Sequence, residues 1–420
     1  MLDMQETSRY AVGLDIGTSK VRVVVGHLEE PTQSPTIVGV ASEPNIGMRK
    51  GTVVNLVNVA QAIDKALESA ERMSGHQIQH ATISINGSHI VGISSKGVIA
   101  VGVSGHEIAL DDLERVQEAA TVLQLPANRE IVEVTPRSYQ LDGQENIKDP
   151  LGMTGVRLEV DAHVITALAP HVKNLEKVCE MTETGVDNIM LSGLAAARSV
   201  LDEKQMENGV LLIDMGVSTT NLAVFDEGDL QHVAVLPVGG NNITNDLAIG
   251  LKTELDVAEQ VKIQHAVAHS DLRRGHAGKA VVKIEDAEHI FETSEIDMIV
   301  DARLEEIFEQ INSELKAIGR AAQLPGGVVL TGGGAELKGI ADYAKQALQL
   351  SARVGQPTGY AGVVDQIYSP SYAVVTGLML SNLLDGAQRE RSTEIDQSKN
   401  GGFAKRLSSG LLKMFSKNRS

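Results

Sequence analysis

Along the chain, short apolar runs of strand length alternate with longer stretches whose apolar positions recur every three or four residues. Residues 10–14 and 21–25 are β-branched arms around Asp15, Gly17, Thr18, Ser19 and Lys20, which predicts a β-hairpin with a tight glycine turn. Leu56, Val59, Ala60, Ile63, Ala66, Leu67, Ala70 and Met73 share one helical face over 55–73. Strands are predicted over 81–85, 89–104 and 156–166, and a charged amphipathic helix over 108–123. A further helix is expected over 172–184, closed by Gly185 as its C-cap. The plan then begins again. A strand at 209–213 leads into a turn at 214–220 and a returning strand at 221–225, followed by helical patterns over 241–268 and 302–320. A strand at 327–330 runs into Thr331, Gly332, Gly333 and Gly334, with a helix after it. Residues 385–402 lack apolar periodicity and read as a flexible linker.

The restart is the informative feature. Asp15-x-Gly17-x-Ser19 recurs as Asp214-x-Gly216-x-Ser218, offset by 199 residues, each time between β-rich arms. That period is a whole domain, not a solenoid unit. The expected fold is α/β, two similar lobes that each present Asp and Gly at a hairpin turn, with a nucleotide in the cleft between them.

Length and charge narrow the setting. The chain has 420 residues, enough for two to four domains at roughly 100–200 residues each. Its formal net charge of −18 argues against a general nucleic-acid binder, and with no Trp and 3% aromatic residues a base-stacking platform is not expected either. One cysteine, Cys179, excludes an intrachain disulfide and a Cys-based zinc site, and fits a reducing compartment. Residues 1–9 are polar, read as a disordered N-terminus, and lack the pattern of a signal peptide. No run approaches the roughly 18 apolar residues of a spanning helix, so the body is expected in the cytosol.

The turns carry the chemistry. A glycine there lets backbone N–H groups approach a phosphate closely. Thr18, Ser19, Ser218, Thr219 and Thr220 add hydroxyls, and Lys20 adds charge. Asp15 and Asp214 cannot take phosphate, since both are anions, but can hold Mg²⁺ through water. A single Asp-Gly turn is commonplace; two at matched positions, with a third glycine motif at 332–334, point to a clamp on a polyphosphate. The third motif is not a P-loop, because GxxxxGK[ST] is absent.

In this order the three segments resemble the phosphate-1, phosphate-2 and adenosine motifs of the actin, Hsp70 and sugar-kinase ATPase superfamily, with 191–197 and 371–377 resembling its two interdomain connections. Within it the chain is similar to the bacterial cell-division family FtsA. The carrying stretches are 12–18 (VGLDIGT), 146–157 (NIKDPLGMTGVR), 239–244 (GGNNIT), 258–262 (AEQVK), 328–334 (VVLTGGG) and the basic C-terminus. The resemblance implies a lobe 1 body at 10–85 and 165–205, an inserted subdomain, called 1C, at 86–164, a lobe 2 body at 206–240 and 325–384, and an upper lobe 2 at 241–324. It implies ATP and Mg²⁺ as ligands, with Gly239, Gly240, Glu259 and Lys262 added to the nucleotide site. Glu259 and Lys262, at i and i+3, share a helix face and serve equally well as a plain ion pair. It further implies self-assembly into actin-like protofilaments, tethering of FtsZ and later division proteins, and a place on the cytoplasmic face of the inner membrane at the septum. Where actin-like relatives carry a Glu to position the attacking water, this chain has Ser192, so hydrolysis is expected to be slow or negligible.

The last 18 residues, 403–420, form an amphipathic pattern. At about 100° per residue, Phe403, Leu407, Leu411, Met414 and Phe415 share one arc, Lys405, Arg406, Lys413 and Lys417 the opposite one, and Leu412 sits at the border. That is the pattern of a helix lying in a membrane interface. Docking on its own acidic body or in a partner's groove is the alternative. The remaining candidates are weaker. His76/His80 and His265/His269 have a metal-like spacing without an evident third ligand, and His163 reads as a core or interface residue. A metabolite kinase of the same superfamily would use the same cleft with a sugar pocket and a catalytic base and has no use for such a tail; a pilus-assembly relative, with the same cleft, commonly lacks one and would bind a short peptide instead of FtsZ.

Overall fold

The computed structural model describes residues 9–29, 34–102, 105–268, 278–284, 287–362 and 365–395. The expected membrane helix at 403–420, most of the N-terminus, His269 and part of the linker lie outside the described residues.

Lobe 1 opens with β1 (Arg9–Ile16), β2 (Lys20–Leu28) and β3 (Thr36–Pro44), an antiparallel meander, then a small hairpin of β4 (Met48–Arg49) and β5 (Thr52–Val53). α1 (Leu56–Ser74) follows, capped by the Asn55 side chain at its start and by left-handed Gly75 at its end. β6 (His80–Ile85) then joins β1 in parallel. The chain now leaves the lobe for the insert, β7 (Val91–Ala100), α2 (Leu110–Ala120), β8 (Arg129–Leu141), β9 (Gln144–Ile147) and β10 (Arg157–Leu168), a sheet ordered β7-β10-β8-β9. It returns through α3 (Ala169–Met181) and β11 (Gly185–Leu191), completing a sheet ordered β11-β6-β1-β2-β3. α4 (Ser192–Val200) and α5 (Glu203–Glu207) lead to lobe 2.

Lobe 2 repeats the topology. β12 (Val210–Met215), β13 (Thr220–Asp226) and β14 (Asp229–Leu236) form the meander; β17 (Gly327–Thr331) and β18 (Ala352–Val354) add in parallel, ordered β14-β13-β12-β17-β18. Between them lie α6 (Gly240–Gly250), α7 (Leu255–His265), the hairpin β15 (Lys279–Ile284) and β16 (Ala287–Glu292), and α8 (Thr293–Ala317). α9 (Ile340–Leu348) precedes β18, and α10 (Ala373–Ile395) ends the described chain. The twin meanders place Asp15 opposite Arg22 and Asp214 opposite Asn221, the same register in each lobe.

α4 and α10 cross at the waist. The contact is so close that a Cβ on Gly377 would lie 1.7 Å from the Ala195 carbonyl oxygen, and one on Gly13 would meet α10 at the Val375 carbonyl, 2.3 Å away. Bare backbone at these positions lets helix lie on helix and helix on strand.

Several boundaries differ from the sequence expectation. Gly185 is not a C-cap; α3 stops at Met181, where the Thr182 hydroxyl donates to the Cys179 carbonyl (3.0 Å) and Glu183 takes the left-handed turn, and Gly185 opens β11. The 241–268 pattern splits into α6 and α7 around left-handed Lys252. α8 starts at Thr293, before the expected 302, and residues 385–395 continue α10 instead of forming linker.

Candidate functional site

The two turns are built alike. Gly17 N–H donates to the Lys20 carbonyl (3.0 Å) and Gly216 N–H to the Thr219 carbonyl (2.8 Å), closing each loop with the preceding carboxylate at its base. Asp15 and Asp214 are both buried. Ser84 Oγ donates to Asp15 Oδ1 (2.8 Å), and Arg22 Nη1 stands 3.9 Å from Asp15 Oδ2. Asn221 Nδ2 donates to Asp214 Oδ2 (2.9 Å). Burial lifts the Asp15 carboxyl above its ordinary range against the pull of Arg22 and Ser84. Burial lifts Asp214 to about 6; the Asn221 hydrogen bond works against this, while the charge of Asp15 adds to it. The two carboxylates therefore feel one another across the lobes.

This arrangement suits a hard divalent cation. Two desolvated carboxylates repel, and a cation between them relieves both burial and repulsion. Among the described residues no group of three or more His, Cys, Asp or Glu could cage a metal. Mg²⁺ keeps waters and takes one or two carboxylates plus phosphate oxygens. Asn221 Oδ1 and Arg22 Nε are buried beside the carboxylates without a protein partner, leaving an acceptor and a donor for ligand or water.

The turns are braced differently. Asn45 holds the first: its N–H donates to the Ser19 carbonyl (2.8 Å) and its Nδ2 to the Gly17 carbonyl (2.9 Å). The start of α6 holds the second through Gly240 N–H to the Gly216 carbonyl (3.0 Å) and Asn241 N–H to the Val217 carbonyl (2.7 Å). A Cβ on Gly239 would lie 2.6 Å from that same Gly216 oxygen. Gly239 and Gly240 thus border the site by packing on the second turn. Thr18 Oγ1 accepts from Gly51 N–H (3.2 Å), and Asn86 Nδ2 donates to Thr219 Oγ1 (3.0 Å), a bond from lobe 1 to the lobe 2 turn. Thr220 is buried with its hydroxyl given to the Val238 carbonyl (2.8 Å), while Ser218 stays half-buried and Ser19 and Lys20 are exposed.

Of the three glycines, two serve packing. A Cβ on Gly332, at φ +78°, would lie 2.5 Å from Asp214 Oδ1, and one on Gly334 would lie 2.4 Å from Met215 Cγ; Gly333 has open space. Beyond them, Lys262 Nζ donates to Glu259 Oε2 (2.6 Å) and Thr244 Oγ1 (2.8 Å), tying α7 to the start of α6, so the ion-pair arrangement is present. Ser192 is buried, its hydroxyl on the Ile85 carbonyl (3.2 Å), and offers no base to the cleft. Sequence reasoning missed Arg22, Asn45, Ser84, Asn86, Asn221 and Thr244. Hairpin register alone would have found Arg22 and Asn221; the others come from distant segments and carry no local signal.

The family description "Cell division protein FtsA" matches residues 211–377, and "SHS2 domain inserted in FTSA" matches 87–166. A cell division protein FtsA of Pseudomonas aeruginosa is 35% identical over 379 residues, 90% of each chain. One of Bacillus subtilis is 38% identical over 369 residues, covering 88% of this chain and 82% of its own. The chain belongs to the FtsA family. Cell division is the role that membership carries, and the SHS2 match coincides with the sheet β7-β10-β8-β9 inserted between β6 and α3. Among solved structures, the PilM–PilN type IV pilus biogenesis complex has a similar chain (TM-score 0.65, 19% identity, 89% of this chain and 98% of that one). MreB5 of Spiroplasma citri bound to ADP is also similar (TM-score 0.52, 14% identity, 94% and 100%). At such identities these show the shared fold, the actin-like ATPase architecture of an FtsA.

Proposed function

We propose that this chain binds Mg·ATP between its lobes, assembles into actin-like protofilaments, and anchors the FtsZ ring and later division proteins to the cytoplasmic face of the inner membrane at the septum. The observation that carries the nucleotide is the pair of matched turns, each with a buried aspartate whose charge the protein leaves incompletely compensated. Bound Mg²⁺ supplies the positive charge that the two carboxylates lack. Gly17 and Gly216 hold the turns open to phosphate oxygens, Thr18, Ser19, Lys20 and Ser218 rim them, and Gly333 leaves room beside β17. A ligand that touches both turns favours the closed arrangement of the lobes. With Ser192 committed to Ile85, hydrolysis is slow. An MreB5 relative is described bound to AMPPNP, which supports the reading.

Membrane attachment rests on the amphipathic segment 403–420. Each cation near anionic lipid contributes about 1 kcal/mol, and each buried large apolar side chain about 1.5–3 kcal/mol, so one tail binds reversibly and a filament of tails binds firmly. Among the described residues no helix is long and apolar enough to cross a membrane.

Calorimetric titration with ATP, with and without Mg²⁺, tests the cleft. Metal-dependent saturable binding is expected, weakened at least tenfold in Asp214→Ala; absence of binding by the folded wild-type chain would overturn the reading.

A further inference from the structure

The insert is rooted in lobe 1 by two chain crossings, and Arg129 ties them together. Its Nη2 donates to the carbonyls of His89 (2.8 Å) and Thr166 (3.0 Å), one on each crossing, and its Nε donates to Thr166 Oγ1 (3.1 Å). The far side of the insert leans on lobe 2 at β14, the edge strand of that sheet.

Two irregularities meet there. The β8–β10 register slips where Ala162 faces Pro136 and Asp161 faces Ser138, which leaves Arg137 as the extra residue of a bulge. The β13–β14 register slips where Phe225 faces Leu230 and Val224 faces His232, which leaves Gln231 as the extra residue of another. A bulge re-aims a side chain and frees a main-chain group from its ladder. Here the first aims Arg137 at the second: Nε donates to the Leu230 carbonyl (3.0 Å) and Nη2 to the Gln231 carbonyl (2.6 Å). Within the insert, the same guanidinium donates to Ser94 Oγ (3.0 Å) and to His163 Nδ1 (2.7 Å). Burial keeps His163 neutral, at about 3, so its Nδ1 remains an acceptor. Lys148 adds a second tie, to the Glu227 carbonyl (2.9 Å) and the Asp229 carboxylate. Gly92 lets the surfaces close, since a Cβ there would lie 2.3 Å from His163 Nε2 and 2.9 Å from Val233 Cγ2. Beside the latch a cavity of about 310 Å³ is lined from both sides, by Ser94, Arg137 and His163 and by Gln231, His232 and Arg320.

We propose that the insert is a strap: it is covalently part of lobe 1, latched by Arg137 to the bulge of β14, and its orientation is set by lobe 2. Acceptance by main-chain carbonyls makes the latch sensitive to the path of β14, whatever side chains that strand carries. A rotation of lobe 2 therefore drags the insert about the Arg129 clasp or breaks the latch.

Cys179, the one cysteine of the chain, is buried and its thiol is pushed up to about 12, so introduced cysteines take label selectively. The test uses spin labels on the full chain at Glu145→Cys, exposed on the insert, and Lys316→Cys, exposed on α8. A narrow single distance is expected, and Arg137→Ala is expected to add a longer, broader population that Arg137→Lys partly reverses. An unchanged distribution in folded Arg137→Ala would overturn the proposal. Should that variant fail to fold by circular dichroism, Gly92→Ala serves in its place: a lengthened distance supports the strap, and an unchanged one sinks it.

Discussion

Asp15 and Asp214 occupy equal places in equal turns, yet their partners differ: the Arg22 guanidinium and the Ser84 hydroxyl for Asp15, the neutral amide of Asn221 for Asp214. Burial dominates at Asp214, and its pH behaviour follows. Its folded pKa of about 6 stands above the ordinary 3.8, so the proton is held more tightly in the fold. The stabilisation it gives is complete below pH 3.8, fades as pH rises through 6, and is gone at neutral pH, a difference of about 3 kcal/mol. Asp214→Asn is expected to melt above wild type at pH 7.5 without nucleotide, with the gap closing towards pH 4.5. Thermal melts across that range check this, and a variant that melts lower at pH 7.5 refutes it. Because proton and metal compete for Asp214, Mg·ATP affinity of the wild type is expected to rise between pH 5 and 7.

At the scale of elements, what the sequence made legible was whatever has a local signature. The two turns, β1, β2, α1, β12, β13 and β17 lie where their patterns put them, because a period of two or of 3.6 and a glycine turn are written in adjacent residues. β3, β8, β14 and β16 carry no such signature. Their faces are partly wet or broken by bulges, and the neighbour that makes each one a strand lies far along the chain. The glycine triplet teaches the same lesson. Three in a row reads as a ligand surface, but Gly332 and Gly334 are small because Asp214 and Met215 press on them. Replacing either with Ala is expected to destabilise the fold by about 1–3 kcal/mol, from overpacking in both and left-handed backbone at Gly332. Gly333→Ala is expected to fold as wild type and to affect nucleotide binding alone. Denaturant titration beside ATP titration separates the three.

At the scale of the molecule, duplication was legible and the consequence of the insert was not. A repeated Asp-x-Gly-x-Ser announces two lobes, whereas nothing in residues 86–164 announces that Arg137 and Lys148 reach the second lobe. The charge distribution belongs at this scale too. Lys405, Arg406, Lys413, Lys417 and Arg419 stand without an acid among them on a chain of net charge −18, so the body is repelled from anionic lipid while the tail is drawn to it. Removing 403–420 is expected to abolish co-sedimentation with vesicles containing anionic lipid, leaving nucleotide affinity unchanged. Loss of binding at 0.5 M salt, where the Debye length is only about 4–5 Å, is expected for the intact chain. Undiminished sedimentation of the truncated chain would rule the tail out as the anchor.

The unequal bracing of the two turns bears on how the protein can evolve. The first loop is tied by the main-chain N–H of Asn45 and by its carboxamide, so a single codon change removes one of the two ties and leaves the other. The second is pinned by peptide groups at the head of α6, where Gly239 leaves no room for a side chain against the Gly216 carbonyl. Natural drift therefore has a graded handle on the first elbow of the clamp through Asn45, whereas any side chain at Gly239 disturbs the second abruptly, and fine heritable tuning of the grip is expected to accumulate on the amino-terminal half.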